Sequence, residues 1–431
     1  MGARFNIIIV GGGLAGLASA LFLRRHGHIV TVIEAAKQLS EVGAGIQIPP
    51  NGTRILDLYG LMPKLEEIVV KPSHINLRRY ANGVPIGKTP LVPEMVESFG
   101  FPYWVIHRAD YLNLLHKAAL DAGVQIRLAC KVIDVDEEAV SVLLEDGTRL
   151  HSDLIIGADG IRSPMRASIL GSENVEVISS PNCAYRAIIS REKMMSDPRS
   201  AELMNSPAAD CWIGPGRHIM SYPIRGGTSY NIVMSHPGKA SVGKWNEPGD
   251  IGEMNRTYEK FDTVIRHTMS YIDTALKWTL ADIPTLPRWR SHSGRVVLVG
   301  DAAHAMLPYL SQGAAQAMED AAILAQCLDR AGHVDDLPRL LAAYEVIRKP
   351  RAERLQQGAR RNGVVWHFAD GEDQQRRDWA MQGDLKEGEV NPNVWADKGF
   401  QPWLFGYDAV KDANERLEII LRQQQQPQSR L

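Results

Sequence analysis

What the chain has little of narrows it first. Cysteine is scarce: four residues, at 130, 183, 211 and 327, with no CxxC spacing. That leaves neither a disulfide framework nor a zinc knuckle to read, and no metal site is expected. Charge of one sign is not in excess, since 48 basic against 50 acidic residues give a net charge of −2. A nucleic-acid partner is therefore not expected. Long apolar runs are missing too. The stretch from Ile7 to Leu23 is interrupted by four glycines and has no basic leader, so it reads neither as a signal peptide nor as a membrane span. No internal repeat is found.

The 431 residues are 45% hydrophobic and 23% charged, an ordinary globular balance over a length that suits two or three domains. Phe5 to Val10 is an apolar strand, followed by Gly11-Gly12-Gly13-Leu14-Ala15-Gly16 and a helical run from Leu17 to His26. Gly11, Gly13 and Gly16 form GxGxxG: the first makes the turn, the second admits a pyrophosphate, and the third lets helix and strand pack. A further strand, Ile29 to Ile33, ends in Glu34, where an acid can hold an adenosine ribose hydroxyl. That context favours dinucleotide binding over a structural βαβ unit. Gly43 and Gly45 suggest another close backbone approach, and Thr53 to Leu65 reads as one amphipathic helix. Ahead of the helix through Ala122, Asp110 is a plausible N-cap and Arg108 is placed to reach a phosphate. A surface Arg–carboxylate pair is the bland alternative.

Two more strand ends repeat the theme. Asp153 to Gly157 runs into Asp159-Gly160, with Arg162 and a proline-started helix after it. Arg295 to Val299 runs into Gly300-Asp301, and Gln312-Gly313-Ala314 then opens a helix-forming run through Leu324. Such a helix aims its unpaired N–H groups and positive dipole end back toward whatever Asp301 holds. A carboxylate for hydroxyls beside a helix end for negative charge suits a flavin. An ordinary βα unit with Asp301 as a cap is the alternative.

The three fingerprints, in this order and spacing, resemble those of the single-component FAD-dependent aromatic monooxygenases. The wording HRADYLNLL and GDAAHAMLPYLSQGAAQAMEDA is closest to salicylate-hydroxylase-like enzymes and fungal FAD monooxygenases of secondary metabolism. The resemblance covers the chain to about Tyr407. It implies an α/β fold, with a Rossmann-like FAD-binding domain interleaved with an antiparallel-sheet substrate domain, plus C-terminal helices. It also implies that Glu34, Gly45, Arg108, Asp301 and Ala314 line non-covalent FAD, and that the segment at Asp159 serves flavin and nicotinamide. Its chemistry is hydroxylation of a phenolic aromatic through a flavin C4a-hydroperoxide, with NADH or NADPH and molecular oxygen as co-substrates. No second GxGxxG marks a separate nicotinamide domain, so the reductant is expected to bind transiently.

Between the flavin-binding parts the pattern becomes one of alternating strands: Ala184 to Ile189, Cys211 to Ile213, Gly216 to Arg225 and Tyr230 to Ser235. A period of two puts His218, Met220 and Tyr222 on one face. His218 is the candidate base for the phenolic proton, because an imidazole pKa near 6.5 suits that task. Arg186 is the candidate partner of a phenolate or carboxylate. The resemblance to fungal relatives adds Arg186 and Tyr222 as residues handling the phenol. A satisfied structural histidine is the ordinary alternative for His218.

Gln125 to Leu128, Val132 to Glu137 and Ser141 to Leu144 read as antiparallel strands, and Met254 to Thr279 as helical. Leu337 to Arg361 reads as a long helix strained near Pro350, its arginines a solvated face. The aromatics from Trp366 to Tyr407 pack on the flavin domain or on a second copy of the chain, and both remain open. The expected domains are 1–74, 100–178 and 284–340 for FAD, 75–99 and 179–283 for substrate, a helical, aromatic segment 341–422, and a tail 423–431. Ser429-Arg430-Leu431 resembles a peroxisomal address, leaving peroxisome and cytosol as alternatives. Two other functional classes stay in view: a nicotinamide-dependent dehydrogenase and a non-catalytic flavin-binding protein.

Overall fold

A computed structural model describes residues 2–39, 44–238, 246–383 and 388–425. Gly43 and the terminal Ser429-Arg430-Leu431 lie outside the described residues.

The short Ile/Val runs assemble as expected for strands buried on both faces. Val296–Leu298, Leu154–Gly157, Asn6–Val10, Ile29–Ile33 and Gln125–Arg127 lie side by side in that order, all parallel. Register does the positioning. Val10 pairs with both Ile33 and Gly157, and Gly157 with Leu298, so Gly11, Glu34, Asp159 and Asp301 all emerge at one sheet edge. The helices Leu14–Arg25 and Gly313–Leu328 carry mostly buried side chains and share the hydrophobic core of this sheet.

Three local expectations need correction. Gln125–Arg127 is a parallel edge strand beside Ile29–Ile33, not part of the antiparallel set. Ala129, at φ 54°, turns the chain away before Val132–Asp136, Ser141–Leu144 and Arg149–His151 form their own antiparallel sheet. Thr53 to Leu65 is two helices, Pro50–Leu58 and Met62–Glu66, broken at Gly60 with φ 59°. The stretch read as helical from Met254 contains Ile251–Thr257 and Thr263–Met269, but Leu276–Asp282 is a strand paired with Ile178–Ser190.

That strand belongs to an eight-stranded sheet ordered Asn246–Pro248, Leu276–Asp282, Ile178–Ser190, Ser229–Pro237, Arg217–Ile224, Ala209–Gly214, His74–Arg79, Pro85–Pro90. Its two faces have different covers. Tyr185, Ile219, Ile232 and Met234 pack under the helices that carry Leu203, Met254 and Ile265. Ala184, Met220, Tyr222 and Ile224 face Tyr309, Leu310, Leu355 and Trp366 instead. His218 and Tyr222 thus share this second, inner face, as the period of two requires.

The helix Leu337–Trp366 runs through Pro350 without a break. Its arginines are not simply a solvated face: Arg348 is fully buried and Arg351 is 6% exposed, because acidic partners wait on the neighbouring helix. Trp366 and Trp395 are buried against the inner face of the sheet, whereas Trp379 is exposed. Among the described residues no helix is long and apolar enough to cross a membrane.

Candidate active site

At the glycine-rich turn, Gly11 adopts φ 110°, and a Cβ there would lie 2.3 Å from the Ala158 carbonyl oxygen. A Cβ on Gly16 would lie 1.9 Å from the Gly11 carbonyl, so the third glycine serves helix–strand packing. At Gly13 an added Cβ would meet nothing within 4 Å among the described residues, leaving the backbone open to a ligand. Glu34 accepts from the Gly12 amide at 2.6 Å and the Ala36 amide at 2.7 Å. Its oxygens are therefore oriented in advance, with lone pairs remaining for a hydroxyl. Asp159 accepts from Ser163 Oγ at 2.5 Å and the Met165 amide at 3.0 Å. Burial raises its pKa above the usual carboxylate value. Its carboxylate thus pins the turn into helix Pro164–Leu170. Glu34, Val132 and Asp159 line a cavity of about 330 Å³, within the range of small-molecule sites.

Asp110 is not the expected N-cap. His107 occupies that position, and helix Arg108–Asp121 starts one residue later. The Asp110 carboxylate is engaged by Arg225 Nε at 3.2 Å and lies 3.4 Å from His107 Nδ1. The backbone amide of Arg108 donates to Ala44 at 2.9 Å, extending the pairing of Gly45–Ile48 with Trp104–His107.

At the other end of the edge, Asp301 is exposed and Gly300, at φ 60°, makes the turn before it. The Gly300 amide donates to Asp320 Oδ2 at 2.8 Å, and His304 Nε2 lies 2.6 Å from the same oxygen. Arg348 Nε donates to Asp320 Oδ1 at 2.8 Å and its Nη1 to Glu319 at 2.7 Å. Arg351 makes two further bonds to Glu319, at 2.8 and 2.9 Å. Asn51 Nδ2 reaches Glu319 at 2.7 Å and Gln312 at 3.0 Å. Burial alone would raise both acids, but the adjacent cations win. Arg351 and Arg348 lower Glu319, and His304 and Arg348 hold Asp320 at about 2. This network was not singled out in the sequence. Its signal is an acidic pair inside an otherwise apolar run, which demands buried cations, facing an Arg-rich helix. It ties the first turn of Gly313–Leu328 and the Gly300 turn to one rigid support. Gly313 and Ala314 are half-buried there, and a Cβ on Gly313 would meet nothing within 4 Å among the described residues.

The eight-stranded sheet meets this edge at Gly45. Its amide donates to Asn231 Oδ1 at 2.7 Å, and a Cβ on it would lie 2.5 Å from the Tyr222 ring and 2.8 Å from Asn231 Cγ. The close approach expected at Gly45 is thus, in part, to the chain's own sheet. Tyr103 donates to Gln47 at 2.5 Å, and Gln47 lies close enough to Tyr222 to act on its hydroxyl. Burial raises the Tyr222 pKa despite the opposing effect of the nearby Arg186 guanidinium. Arg186 stacks over Trp278 at 4.8 Å.

His218 stands apart from this group. Its Nδ1 lies 2.8 Å from His367 Nε2, and Tyr309 and Trp366 meet it edge-on. Burial, then His367, push its pKa well below 6.5, and burial, then Arg377, bring His367 to about 4. The three residues expected to handle substrate therefore share one face but differ in surroundings: Arg186 lies in the Met220 row, within electrostatic reach of Tyr222, while His218 pairs with the buried imidazole of His367, which the sequence does not reveal.

Residues 4–359 match the family described as FAD binding domain. The chain belongs to the FAD-dependent aromatic hydroxylases. It is 34% identical over 412 residues to FAD-dependent monooxygenase OpS4 of Beauveria bassiana (strain ARSEF 2860), covering 95% of this chain and 96% of that protein. It is also 34% identical to 3-hydroxybenzoate 6-hydroxylase 1 of Aquipseudomonas alcaligenes, covering 94% and 98%. A salicylate hydroxylase substrate complex superposes with a TM-score of 0.77 at 25% identity, covering 96% and 98%.

The hydroxylase's own atoms fit FAD. Backbone is open at Gly13 and Gly313, carboxylates stand at Glu34 and Asp301 on one edge, and a cavity lies beside Glu34. The 16-residue helix Gly313–Leu328 directs its free amides to the same edge.

Proposed function

We propose that this hydroxylase inserts one atom of molecular oxygen into a phenolic aromatic, a salicylate-like hydroxybenzoate or a fungal phenolic metabolite. NADH or NADPH supplies two electrons, and the second oxygen atom leaves as water. Bound FAD supplies electron transfer and oxygen activation; Glu34, Arg108, Asp301 and the Gly313–Ala314 helix end are the residues assigned to hold it. The chain's other tasks are to hold the ring, keep water out and raise electron density on the substrate.

What supports this reading most is the group on the inner face: Tyr222 with Gln47 beside it and Arg186 close enough to act on its hydroxyl. A tyrosine whose pKa is raised by burial stays protonated and donates a hydrogen bond rather than accepting a proton. Arg186 stabilises the phenolate form of a substrate, which makes the ring electron-rich. His218 is the weaker base, because burial and His367 disfavour the imidazolium it would have to become. Met220, Tyr309 and Leu310 supply apolar cover on the same face, which keeps a water-poor pocket. The test is NADH and NADPH oxidation by purified holoprotein against hydroxybenzoates and phenols, with products identified by mass. Aromatic-stimulated oxidation with a product 16 Da heavier, or 28 Da lighter where a carboxyl group is lost, is expected. Oxidation indifferent to every aromatic would leave only a flavin-binding role.

A further inference from the structure

We infer that Asn231 is a specificity-determining residue that donates a hydrogen bond from Nδ2 to the phenolic oxygen of the substrate. The inference rests on the hydroxylase reading above and names the group that recognises the phenol.

Asn231 is fully buried. Its orientation follows from chemistry: the Gly45 amide, 2.7 Å away, can only donate, so the atom facing it is the side-chain oxygen. Nδ2 then carries two N–H groups, and it has no hydrogen-bond partner among the described residues. Native proteins rarely leave a buried donor in that state, and the exceptions call for a functional explanation. Many buried side chains satisfy themselves within a network, as Arg348 does; this amide is half used and half free.

Its place says what the free half is for. Asn231 pairs with Tyr222 on one neighbouring strand and with Ile188 on the other. Arg186 sits in the next register row, paired with Val233. Strand periodicity puts all three polar side chains on the inner face. There the sheet approaches Gly45 so closely that a methyl group would clash with both Asn231 and Tyr222. A neutral amide donor beside a protonated tyrosine and a guanidinium suits an oxygen with lone pairs, above all one developing negative charge. It does not discriminate in favour of an unsubstituted ring. A site built to bond a hydroxyl rejects the analogue that lacks it, because its own buried group is then left unpaired.

Asn231→Asp provides the test. It keeps an acceptor for Gly45 and replaces the free donors by an oxygen. Holoprotein would be titrated with 3-hydroxybenzoate, salicylate, phenol and resorcinol, each beside its analogue lacking one ring hydroxyl, with binding read from the flavin absorbance. The wild type is expected to prefer at least one hydroxylated member by about 100-fold, and the variant to lose at least tenfold of that preference. FAD content should stay at the wild-type level. Equal weakening for both members of every pair, or an unchanged preference, overturns the inference and makes Asn231 a tether for Gly45. Should Asn231→Asp not fold, Asn231→Ser answers the same question through the same ratio. If no phenol perturbs the wild-type flavin but FAD is bound, the hydroxylase reading fails first and the inference with it.

Discussion

At the Glu34 end of the parallel sheet's ligand-facing edge, polar contacts are mostly short in sequence. Glu34 bonds Ala36, two residues on, and Gly12, 22 back; Asp159 bonds Ser163 and Met165, four and six on. At the Gly313 end contacts of 16 to 32 residues are joined by far longer ones: Gly45 reaches Asn231 across 186 residues and Asn51 reaches Glu319 across 268. The first end is shaped by local turns, each set by its own few residues. The second exists only after helices and sheets from the whole chain have met. Damage at the first end should therefore remain local, while damage to the buried network at the second should spread to global stability, and only its exposed Asp301 should be separable from the fold.

The largest effect is expected from Arg348→Met. It leaves Glu319 and Asp320 buried with fewer partners, and breaking a buried ion pair in this way costs about 3–5 kcal/mol. Thermal or denaturant unfolding of the holoprotein should show a loss of that order, partly recovered in the Arg348→Met, Glu319→Gln double variant. A change below about 1 kcal/mol would mean the network is ornamental.

Next comes Asp301→Ala. Asp301 is exposed at the strand end, so its loss should barely alter folding but should leave the purified protein largely colourless, with FAD occupancy reduced at least tenfold. Together the two variants separate the support from the ligand contact. A fully yellow Asp301→Ala protein with wild-type turnover would remove Asp301 from the site.

Titration sharpens the contrast further. His218 and His367 have folded pKa values below 6.5, the latter at about 4. Groups depressed in this way stabilise the fold fully above the unfolded value and lose that contribution as pH falls from 6.5 toward 4. Asp320, at about 2, keeps its contribution down to the ordinary carboxylate range and loses it only as pH falls toward 2. Unfolding followed from pH 8 to 4 should show stability falling below 6.5. His367→Gln, which cannot take up a proton, should flatten that slope. A wild-type stability constant between pH 7 and 4.5 would contradict the buried neutral pair.

This difference in contact range also explains what the sequence disclosed. Gly11, Gly13, Gly16 and Glu34 could be placed because each depends on a strand, a turn and a helix adjacent in the chain. Gly45 stands out for its lack of a side chain, but its partners Tyr222 and Asn231 do not, since no local pattern announces a contact 186 residues away. Arg348 and Arg351 read as a solvated face because a 3.6-residue period cannot tell whether a charged stripe meets water or Glu319. Period two correctly put His218 and Tyr222 on one face of their strand. It could not show that His367, 149 residues on, would occupy His218 Nδ1. Leu276–Asp282 does not read as a strand for a related reason: its partner, Ile178–Ser190, is almost a hundred residues upstream.

The smallest effect is expected where the sequence suggested the largest. With the imidazolium disfavoured by burial and by His367, His218 has little to offer a phenolic proton. His218→Ala opens space beside Tyr309 and Trp366 and should slow hydroxylation less than tenfold, by the same factor at every pH from 6 to 9. Loss of a general base would instead cost about 10²–10⁴-fold, and most at low pH, because raising the pH ionises the phenol without help. Measured as hydroxylated product per NAD(P)H consumed, the two outcomes are far apart. A deep loss in His218→Ala that recovers toward pH 9 would restore His218 as the base, and Arg186 would then merely hold the anion that His218 creates. A shallow, flat loss leaves Arg186 to favour the phenolate, and Arg186→Ala should then show the pH-dependent recovery that His218→Ala lacks.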